Sequence, residues 1–216
     1  MAQKFAVSGQ HYLFDVQAFA HTILALGGEE YSYALRDRTT RGVIADVVEG
    51  RSEVGVLMRN TRTAADVDRE IEAAGLEFHE LATSKPRVAL PASHPLSNAT
   101  SLTPDQLADW PYVYFEQEDG APDYLAEEAL GDLPHAKSIA LTDRASLSEL
   151  AVAMNGYTFT SGILVGITDG GSLTTIPLES DVELSLGYVA RKGEALSPIA
   201  QRFVETLAHS LELYAK

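Results

Sequence analysis

The sequence lacks cysteine among its 216 residues, which excludes disulfide bonds and thiolate metal ligands and fits a reducing compartment. Basic residues are also scarce, because 16 Lys and Arg stand against 31 Asp and Glu and leave a formal net charge of -15. Such a surface repels the phosphate backbone of nucleic acids. No apolar run approaches the roughly 18 residues that span a bilayer, and the N-terminus lacks the apolar core of a signal peptide. We therefore expect a soluble, cytoplasmic protein with no membrane contact and no nucleic-acid binding of its own.

Catalytic and metal-binding signatures are missing as well. The sequence contains no nucleophile elbow, P-loop, dinucleotide fingerprint or zincin histidine pair, and its six histidines are scattered. Residues 116–132 hold seven carboxylates and no Lys or Arg, but calcium loops need tighter alternation than this stretch has. We predict no catalytic residue, no cofactor and no metal site, and we interpret the acidic stretch as a solvated face, with a cation site as the alternative.

The first third of the chain alternates between strand-like and helix-like patterns. Strands are predicted over residues 4–8, 31–35 and 54–58, and helices over residues 11–26 and 64–74, with a further helix that Thr39 or Thr40 caps and Gly50 ends. In the first helix one face carries Tyr12, Val16, Phe19, Ile23 and Leu26. Strands separated by helices at this spacing predict a parallel sheet with right-handed crossovers.

The rest of the chain repeats this pattern after an extended passage from Leu76 to Leu90. Thr103, Pro104 and Gln106 carry the signals of a capped helix start. The further predicted elements are strands over residues 112–115, 138–141, 157–160 and 173–178, helices over 124–130 and 147–154, a return strand over 184–190, and a final helix that starts at Ser197-Pro198. Two α/β lobes joined by two extended crossings predict a hinge with a ligand cleft between the lobes.

Several polar stretches lie where strands end or helices begin, which is where ligands bind in α/β folds. Ser8-Gly9-Gln10 and Thr39-Thr40 each occupy a strand-to-helix junction, and Gly9 permits close approach of a ligand to the backbone. Glu116-Gln117 follows the buried strand that begins at Tyr112. For the threonines, helix capping alone is an equally good explanation.

A fourth stretch, Asp143-Arg144-Ala145-Ser146, follows a strand and opens a helix. Its backbone N–H groups and the Arg144 guanidinium have the chemistry to hold an anion. The alternative is that Asp143 caps the helix and pairs with Arg144. The sequence alone leaves these two interpretations open.

The chain resembles the effector-binding domain of LysR-type transcriptional regulators. Residues 43–57, VIADVVEGRSEVGVL, are similar to the helix, glycine and acidic residue that lead into the third strand of that family. The motif His94-Pro95-Leu96 followed by LTPDQLAD at residues 102–109 carries the resemblance further, as does Asp143-Arg144-Ala145-Ser146 with the later Asn155-Gly156-Tyr157. The resemblance extends over nearly the whole chain, and its specificity lies in the order and spacing of these motifs.

The resemblance implies an α/β fold with two Rossmann-like lobes joined by two crossover strands, of the type 2 periplasmic-binding-protein kind. It implies that residues 1–82 and 190–216 form regulatory lobe I, that residues 83–189 form regulatory lobe II, and that an effector cleft lies between them. It also implies ligand-linked closure of the lobes, in which no bond is broken, so we expect that the protein is not an enzyme.

The partners implied by the resemblance are a small-molecule effector and further copies of the chain. Members carry an N-terminal winged helix-turn-helix that this sequence does not contain, so we expect an excised effector domain whose DNA contact belongs to the missing part. A homodimer through the first helix and second strand is implied, with a tetramer in the full-length protein.

The effector-binding positions implied residue by residue are Ser8, Gly9, Gln10, Thr39, Thr40, Glu116, Gln117, Arg144 and Thr160. Helix N-termini and Arg144 favour a carboxylate-bearing metabolite as the effector. Two other functions stay open: an extracytoplasmic solute-binding protein for transport, which would require export, and an enzyme such as a dehydratase on the same scaffold, for which no acid-base pair is visible.

Overall fold

The computed structural model describes residues 3–26, 28–163 and 172–214. A five-stranded sheet has the order β2-β1-β3-β10-β4. Its strands and their helices are β1 (Gln3–Gly9), α1 (Leu13–Leu26), β2 (Tyr31–Asp37), α2 (Thr40–Val48), β3 (Val54–Asn60), α3 (Ala64–Ala73), β4 (Leu76–Ser84), β10 (Leu184–Arg191) and α5 (Pro198–Tyr214). We call this sheet with its four helices lobe I. As predicted, β1, β2 and β3 run parallel, whereas β10 runs antiparallel to β3 and β4.

Lobe I is a sheet covered on both faces, which explains the apolar run of β3, where six of the seven residues are buried. Helix α2 begins where predicted, because the Thr39 side chain accepts a hydrogen bond from the Gly42 N–H at 3.1 Å. Gly187 lies at a register shift between β10 and β4, and a Cβ atom there would overlap the His79 carbonyl. Glycine therefore lets β10 approach β4 closely at this point.

The elements between β4 and β10 form lobe II. They are β5 (Arg87–Pro91), a 3₁₀ turn (Pro104–Leu107), β6 (Tyr112–Phe115), a 3₁₀ turn (Asp123–Leu125), β7 (Ser138–Leu141), α4 (Arg144–Met154), β8 (Thr158–Thr160) and β9 (Leu173–Pro177). Strand β5 pairs antiparallel with both β8 and β9, and β6 pairs parallel with β7. The two-lobed α/β architecture predicted from the sequence is confirmed.

The crossings between the lobes lie at the end of β4 and the start of β10. Strand β4 extends to Ser84, and Leu184, the first residue of β10, pairs with both Ser84 and Asn60. The boundaries predicted at residues 82 and 190 therefore lie inside strands of the five-stranded sheet, and the division of the chain into two lobes at those positions stays a prediction.

Two predicted helices of lobe II are shorter than expected. The capped start at Thr103 leads only into a 3₁₀ turn, where the Thr103 N–H donates to Gln106 Oε1 at 2.8 Å. The helix predicted over residues 124–130 is wrong, because a 3₁₀ turn ends at Leu125 and Leu130 has a positive φ of 62°. The side chains of this stretch instead make tertiary contacts with lobe I.

Helix α1 buries a different face from the predicted stripe. Its fully buried residues are Phe14, Asp15, Ala18 and Thr22, whereas Leu26 of the predicted stripe is 42% exposed. Asp15 is thus a charged side chain in the buried face, which the apolar pattern did not reveal. None of the helices in the described residues is long and apolar enough to cross a membrane.

Candidate functional site

A cavity of about 620 Å³ lies at the seam between the lobes. Lobe I contributes the start of α1, the end of β2 and Met58 of β3, and lobe II contributes the ends of β6 and β8 and the first turns of α4. Its apolar walls are Tyr12, Leu13, Met58, Ala89, Phe115, Leu147, Phe159, Ile163 and Leu173. The volume is typical of sites for small organic molecules.

Arg144 on α4 connects the two lobes beside this cavity. Its Nη2 donates to Asp37 Oδ1 at 2.5 Å, and its Nη1 lies 3.8 Å from Asp15 Oδ1. Both acidic partners belong to lobe I. The Arg144 Nε is buried and has no hydrogen-bond partner in the described chain. This N–H donor is therefore unpaired among the described residues, and a ligand could accept from it only if the side chain shifted.

Asp15 is completely buried against the end of β1. Within residues 3–26, 28–163 and 172–214, neither carboxylate oxygen has a hydrogen-bond partner of good geometry. Burial raises the pKa of this carboxyl to about 7, and the nearby charge of Arg144 only partly opposes that effect. Near neutral pH, Asp15 therefore exists as a mixture of neutral and ionised forms.

His11 and Glu127 form a second buried connection between the lobes. The Glu127 carboxylate accepts from the His11 backbone N–H at 3.1 Å and lies 2.9 Å from His11 Nδ1. The imidazole also stacks on Phe115 with ring centroids 4.0 Å apart. Burial by itself lowers the pKa of His11, but the hydrogen bond and charge of Glu127 outweigh it, so the pKa is raised. The raised pKa favours a charged His11 next to the carboxylate.

Two further acidic residues on the cavity walls, Glu128 and Asp143, accept hydrogen bonds from backbone N–H groups. Burial, reinforced by the charge of Glu127, raises the pKa of Glu128, whose Oε1 accepts from the Phe115 N–H at 2.8 Å. Asp143 caps α4 by accepting from the Ser146 N–H at 3.0 Å, as the capping interpretation expected. Asp143 does not pair with Arg144 among the ion pairs of the described residues. The pairing of Asp37 with Arg144 and of Glu127 with His11, together with the raised pKa of Glu128, therefore reduces the negative charge of the cavity.

Of the nine predicted effector-binding residues, Arg144 and Thr160 line this cavity. Ser8 lies away from it and is completely buried, where its hydroxyl donates to Asp46 Oδ2 at 2.6 Å and contacts Ser52 Oγ at 2.7 Å. Gly9 faces Asp15, because a Cβ atom on Gly9 would overlap the Asp15 carboxylate. The close approach that glycine permits is made by the protein's own side chain.

Three further predicted residues, Gln10, Thr40 and Gln117, are connected by hydrogen bonds, and the bond between Thr40 and Gln117 crosses the seam. Gln10 Nε2 donates to Thr40 Oγ1 at 2.5 Å, and Gln10 Oε1 accepts from the Met58 N–H at 2.7 Å. The Thr40 N–H donates to Gln117 Oε1 at 3.1 Å, while Thr40 Oγ1 donates to the Leu125 carbonyl at 2.7 Å. These groups at the start of α2, where the sequence predicted effector contacts, bind residues of lobe II instead.

The last two predicted residues, Thr39 and Glu116, lie outside the cavity as well. Besides capping α2, Thr39 bonds through its hydroxyl to Glu118 of lobe II. Glu116 and Gln117 line a separate cleft of about 500 Å³ next to the acidic stretch. In the described residues no group of three or more His, Asp or Glu side chains is arranged to hold a metal ion. Effector contact of all nine residues stays a prediction.

Sequence reasoning missed most of the cavity wall. Tyr12, Met58 and Phe159 were interpreted as core or strand residues, and Asp37 was not singled out, whereas Phe115 was expected at the ligand-facing end of its strand. A signal did exist for Asp37, because it lies two residues after a predicted strand, as Gln10 does. No pattern distinguishes a wall aromatic residue from a core aromatic residue, since both are apolar at the same positions of a strand.

Two α/β lobes connected by two strands, with a cavity at their seam, define the class of two-lobed domains with a periplasmic-binding-protein-like fold. The family model of the LysR substrate binding domain matches residues 31–212, and the chain belongs to this family. The family has the type 2 periplasmic-binding-protein-like fold and is part of regulators of transcription, which confirms the resemblance and the predicted fold.

Solved structures agree with this assignment at the level of the fold. A putative LysR family transcriptional regulator, PA01 from Pseudomonas aeruginosa, has a TM-score of 0.68 at 15% identity, covering 97% of this chain and 72% of that one. The regulatory domain of MetR from N. meningitidis has a TM-score of 0.66 at 8% identity over 99% and 95% of the two chains. The effector binding domain of QuiR, solved in complex with shikimate, has a TM-score of 0.65 at 10% identity over both whole chains. A comparison with curated proteins gives no match.

Proposed function

We propose that the seam cavity binds a small effector with one carboxylate on a ring or other apolar body, and that its occupancy changes how the lobes are arranged. The observation that carries the proposal is the Arg144 guanidinium on a largely apolar wall, with a buried Nε that has no partner in the described chain. A carboxylate is one of the acceptors that an arginine guanidinium binds strongly.

The charge of the cavity favours one carboxylate over two. Glu127 already pairs with His11, and Asp37 already pairs with Arg144. Among the described lining residues a second carboxylate would find hydroxyl groups, acidic residues and apolar side chains but no second unpaired cation, and burying an unpaired charge costs several kcal/mol. Shikimate, the ligand of the QuiR domain, has a single carboxylate on a ring, and it agrees with this class without identifying the effector of this chain.

The proposed consequence of binding is regulation of transcription. An effector that touches both lobes stabilises the arrangement in which both sets of contacts form, and this differential affinity is what shifts a conformational equilibrium. In a regulator of this family, the change would be transmitted to a DNA-binding domain outside this chain. We propose that the lobes divide between β4 and β5 and between β9 and β10, and that the protein acts as a cytoplasmic homodimer through α1 and β2, with a tetramer in the full-length regulator.

A matched set of ligands tests the proposal. Benzoate, phenylacetate and shikimate each carry one carboxylate, benzamide is the neutral analogue of benzoate, and phthalate adds a second carboxylate. Ligand at 100 times its Kd stabilises a protein by about 2.7 kcal/mol, so thermal denaturation detects it and calorimetry gives the affinity. We expect stabilisation by at least one monocarboxylate and weaker stabilisation by benzamide and phthalate.

Two variants and one control connect binding to the cavity. We expect Arg144→Gln to reduce monocarboxylate affinity at least tenfold, and Leu147→Trp to block binding by filling the cavity. Arg202→Gln removes an exposed arginine on α5 and serves as the control. Equal affinity for benzoate and benzamide would refute the proposal that the effector is recognised through a carboxylate. Unchanged affinity in both cavity variants would refute the proposal that it binds in this cavity.

A further inference from the structure

The segment of residues 122–128 belongs to lobe II but is anchored in lobe I. It follows β6 and has only one 3₁₀ turn in place of the predicted helix. The Leu125 side chain is completely buried and packs in a cluster with residues of α2, β3 and α3. The Tyr124 hydroxyl donates to Glu70 on α3 at 2.7 Å. Leu125 and Tyr124 of this segment therefore make their packing and hydrogen-bond contacts with lobe I.

The polar groups of this segment bind the starts of two helices of lobe I. The Leu125 carbonyl accepts from Thr40 Oγ1 at the first residue of α2. The Glu127 carboxylate accepts from the His11 N–H, two residues before α1 begins, and pairs with the His11 ring. A carboxylate at the start of a helix is favoured by the helix dipole and by unpaired N–H groups. Glu127 is only 3% exposed, so this pair is shielded from solvent and salt.

These contacts occupy the positions at which the sequence predicted the effector. We infer that the 122–128 segment is an internal ligand of lobe I, which holds the two lobes together when no effector is bound. Glu127 supplies the carboxylate, Leu125 supplies the apolar group, and the Leu125 carbonyl supplies the acceptor for Thr40. The inference predicts that the lobes keep this arrangement in the domain without effector.

This internal ligand also changes how the effector acts, a consequence that rests on the proposed function. The segment already occupies the His11 N–H before α1 and the Thr40 hydroxyl at the start of α2, so the effector is left with the rest of the cavity wall and Arg144. Because the binding-competent arrangement is already populated, little of the effector's binding energy is spent on closing the lobes.

Distances between spin labels test the inference in the absence of any effector. The chain contains no cysteine, so Glu72→Cys on α3 and Asp105→Cys in lobe II place one exposed label on each lobe. With an otherwise unchanged chain, we expect a single narrow distance distribution. In Glu127→Gln, and separately in Thr40→Val, we expect the mean distance to increase by more than about 2 Å, the scale of lobe rearrangements, or a second population to appear.

The control is Glu149→Gln, which makes the same chemical change on an exposed wall residue of the cavity. Circular dichroism establishes that each variant is folded, and Thr40→Val serves if Glu127→Gln does not fold. Unchanged distances in the folded variants would overturn the inference, as would a broad distribution in the parent chain or equal opening in the control. The spin-label measurements use no effector. Their outcome therefore does not depend on whether any compound of the carboxylate screen binds.

Discussion

Gly9 at the end of β1 lies directly against the buried carboxylate of Asp15 in the first turn of α1. A Cβ atom on Gly9 would overlap Asp15 Oδ2, and the carboxylate has little room to move because Asp15 is completely buried. The glycine at this strand-to-helix junction thus makes space for an acidic side chain of the same lobe. That carboxylate in turn faces Arg144 across the seam.

Gly9→Ala is expected to destabilise the protein by about 1–3 kcal/mol, the usual cost of overpacking a filled site. The added methyl group should displace Asp15 and weaken its interaction with Arg144. Urea denaturation measures the loss. When Asp15 is also replaced by Ala, the Gly9→Ala substitution should cost little additional stability, because the carboxylate it would overlap is gone. Additive effects of the two substitutions would contradict the contact between these residues.

Asp15→Asn is expected to change the pH dependence of stability between about pH 4 and pH 7. The folded protein keeps this carboxyl protonated up to a pKa of about 7, whereas the unfolded chain releases the proton near pH 3.9. The unfolded state therefore binds fewer protons in this window, and the wild-type stability falls as the pH rises. The free energy of unfolding of Asp15→Asn, relative to wild type, should rise by roughly 2–4 kcal/mol over the window.

Urea denaturation at several pH values measures this difference. Asp66→Asn is the control, because Asp66 lies on the exposed side of α3, where it pairs with Arg69. A difference between Asp15→Asn and wild type that stays constant from pH 4 to pH 7 would show that Asp15 is ionised in the folded state.

Leu125→Ala should destabilise the protein by about 2–4 kcal/mol, because it removes a completely buried side chain from a packed cluster. Leu24 on α1 is 79% exposed, so Leu24→Ala should change stability by less than about 0.5 kcal/mol. Thermal or urea denaturation compares the two. Equal small effects would mean that the 122–128 segment contributes no packing to lobe I.

Asp46→Asn should destabilise the protein by about 1–3 kcal/mol at pH 7, because it removes the charged acceptor of a buried network. Burial alone would raise the pKa of this carboxyl, but hydrogen bonds from Ser8 and Arg51 outweigh it and lower the pKa. The stabilisation is present above the unfolded pKa of about 3.9 and is lost as the pH falls through the lower folded value. The gap between wild type and Asp46→Asn in urea denaturation should therefore close at acid pH, and a gap that persists there would contradict the charge-based explanation.

Lobe I could be predicted almost completely from local patterns. The strand and helix signals from Gln3 to Ala73 and the Thr39 cap are found where expected, since periodicity and capping depend on residues a few positions apart. The antiparallel insertion of β10 between β3 and β4 was not evident, because strand order depends on which apolar faces meet across the chain. The helix predicted over residues 124–130 failed for the same reason, as its side chains gain more from lobe I than a local helix would provide.

The sequence by itself determined the two-lobed α/β class, the family, and Arg144 and Thr160 as cavity residues. The tertiary structure alone decided that Gln10, Thr40 and Gln117 bind one another, that Glu127 fills the start of α1, and that a buried Asp15 lies behind Arg144. Local spacing identifies groups able to bind a carboxylate, whether it comes from an effector or from the chain. Which carboxylate reaches them depends on contacts such as His11 with Glu127, separated by 116 positions, and those arise only when the two lobes pack together.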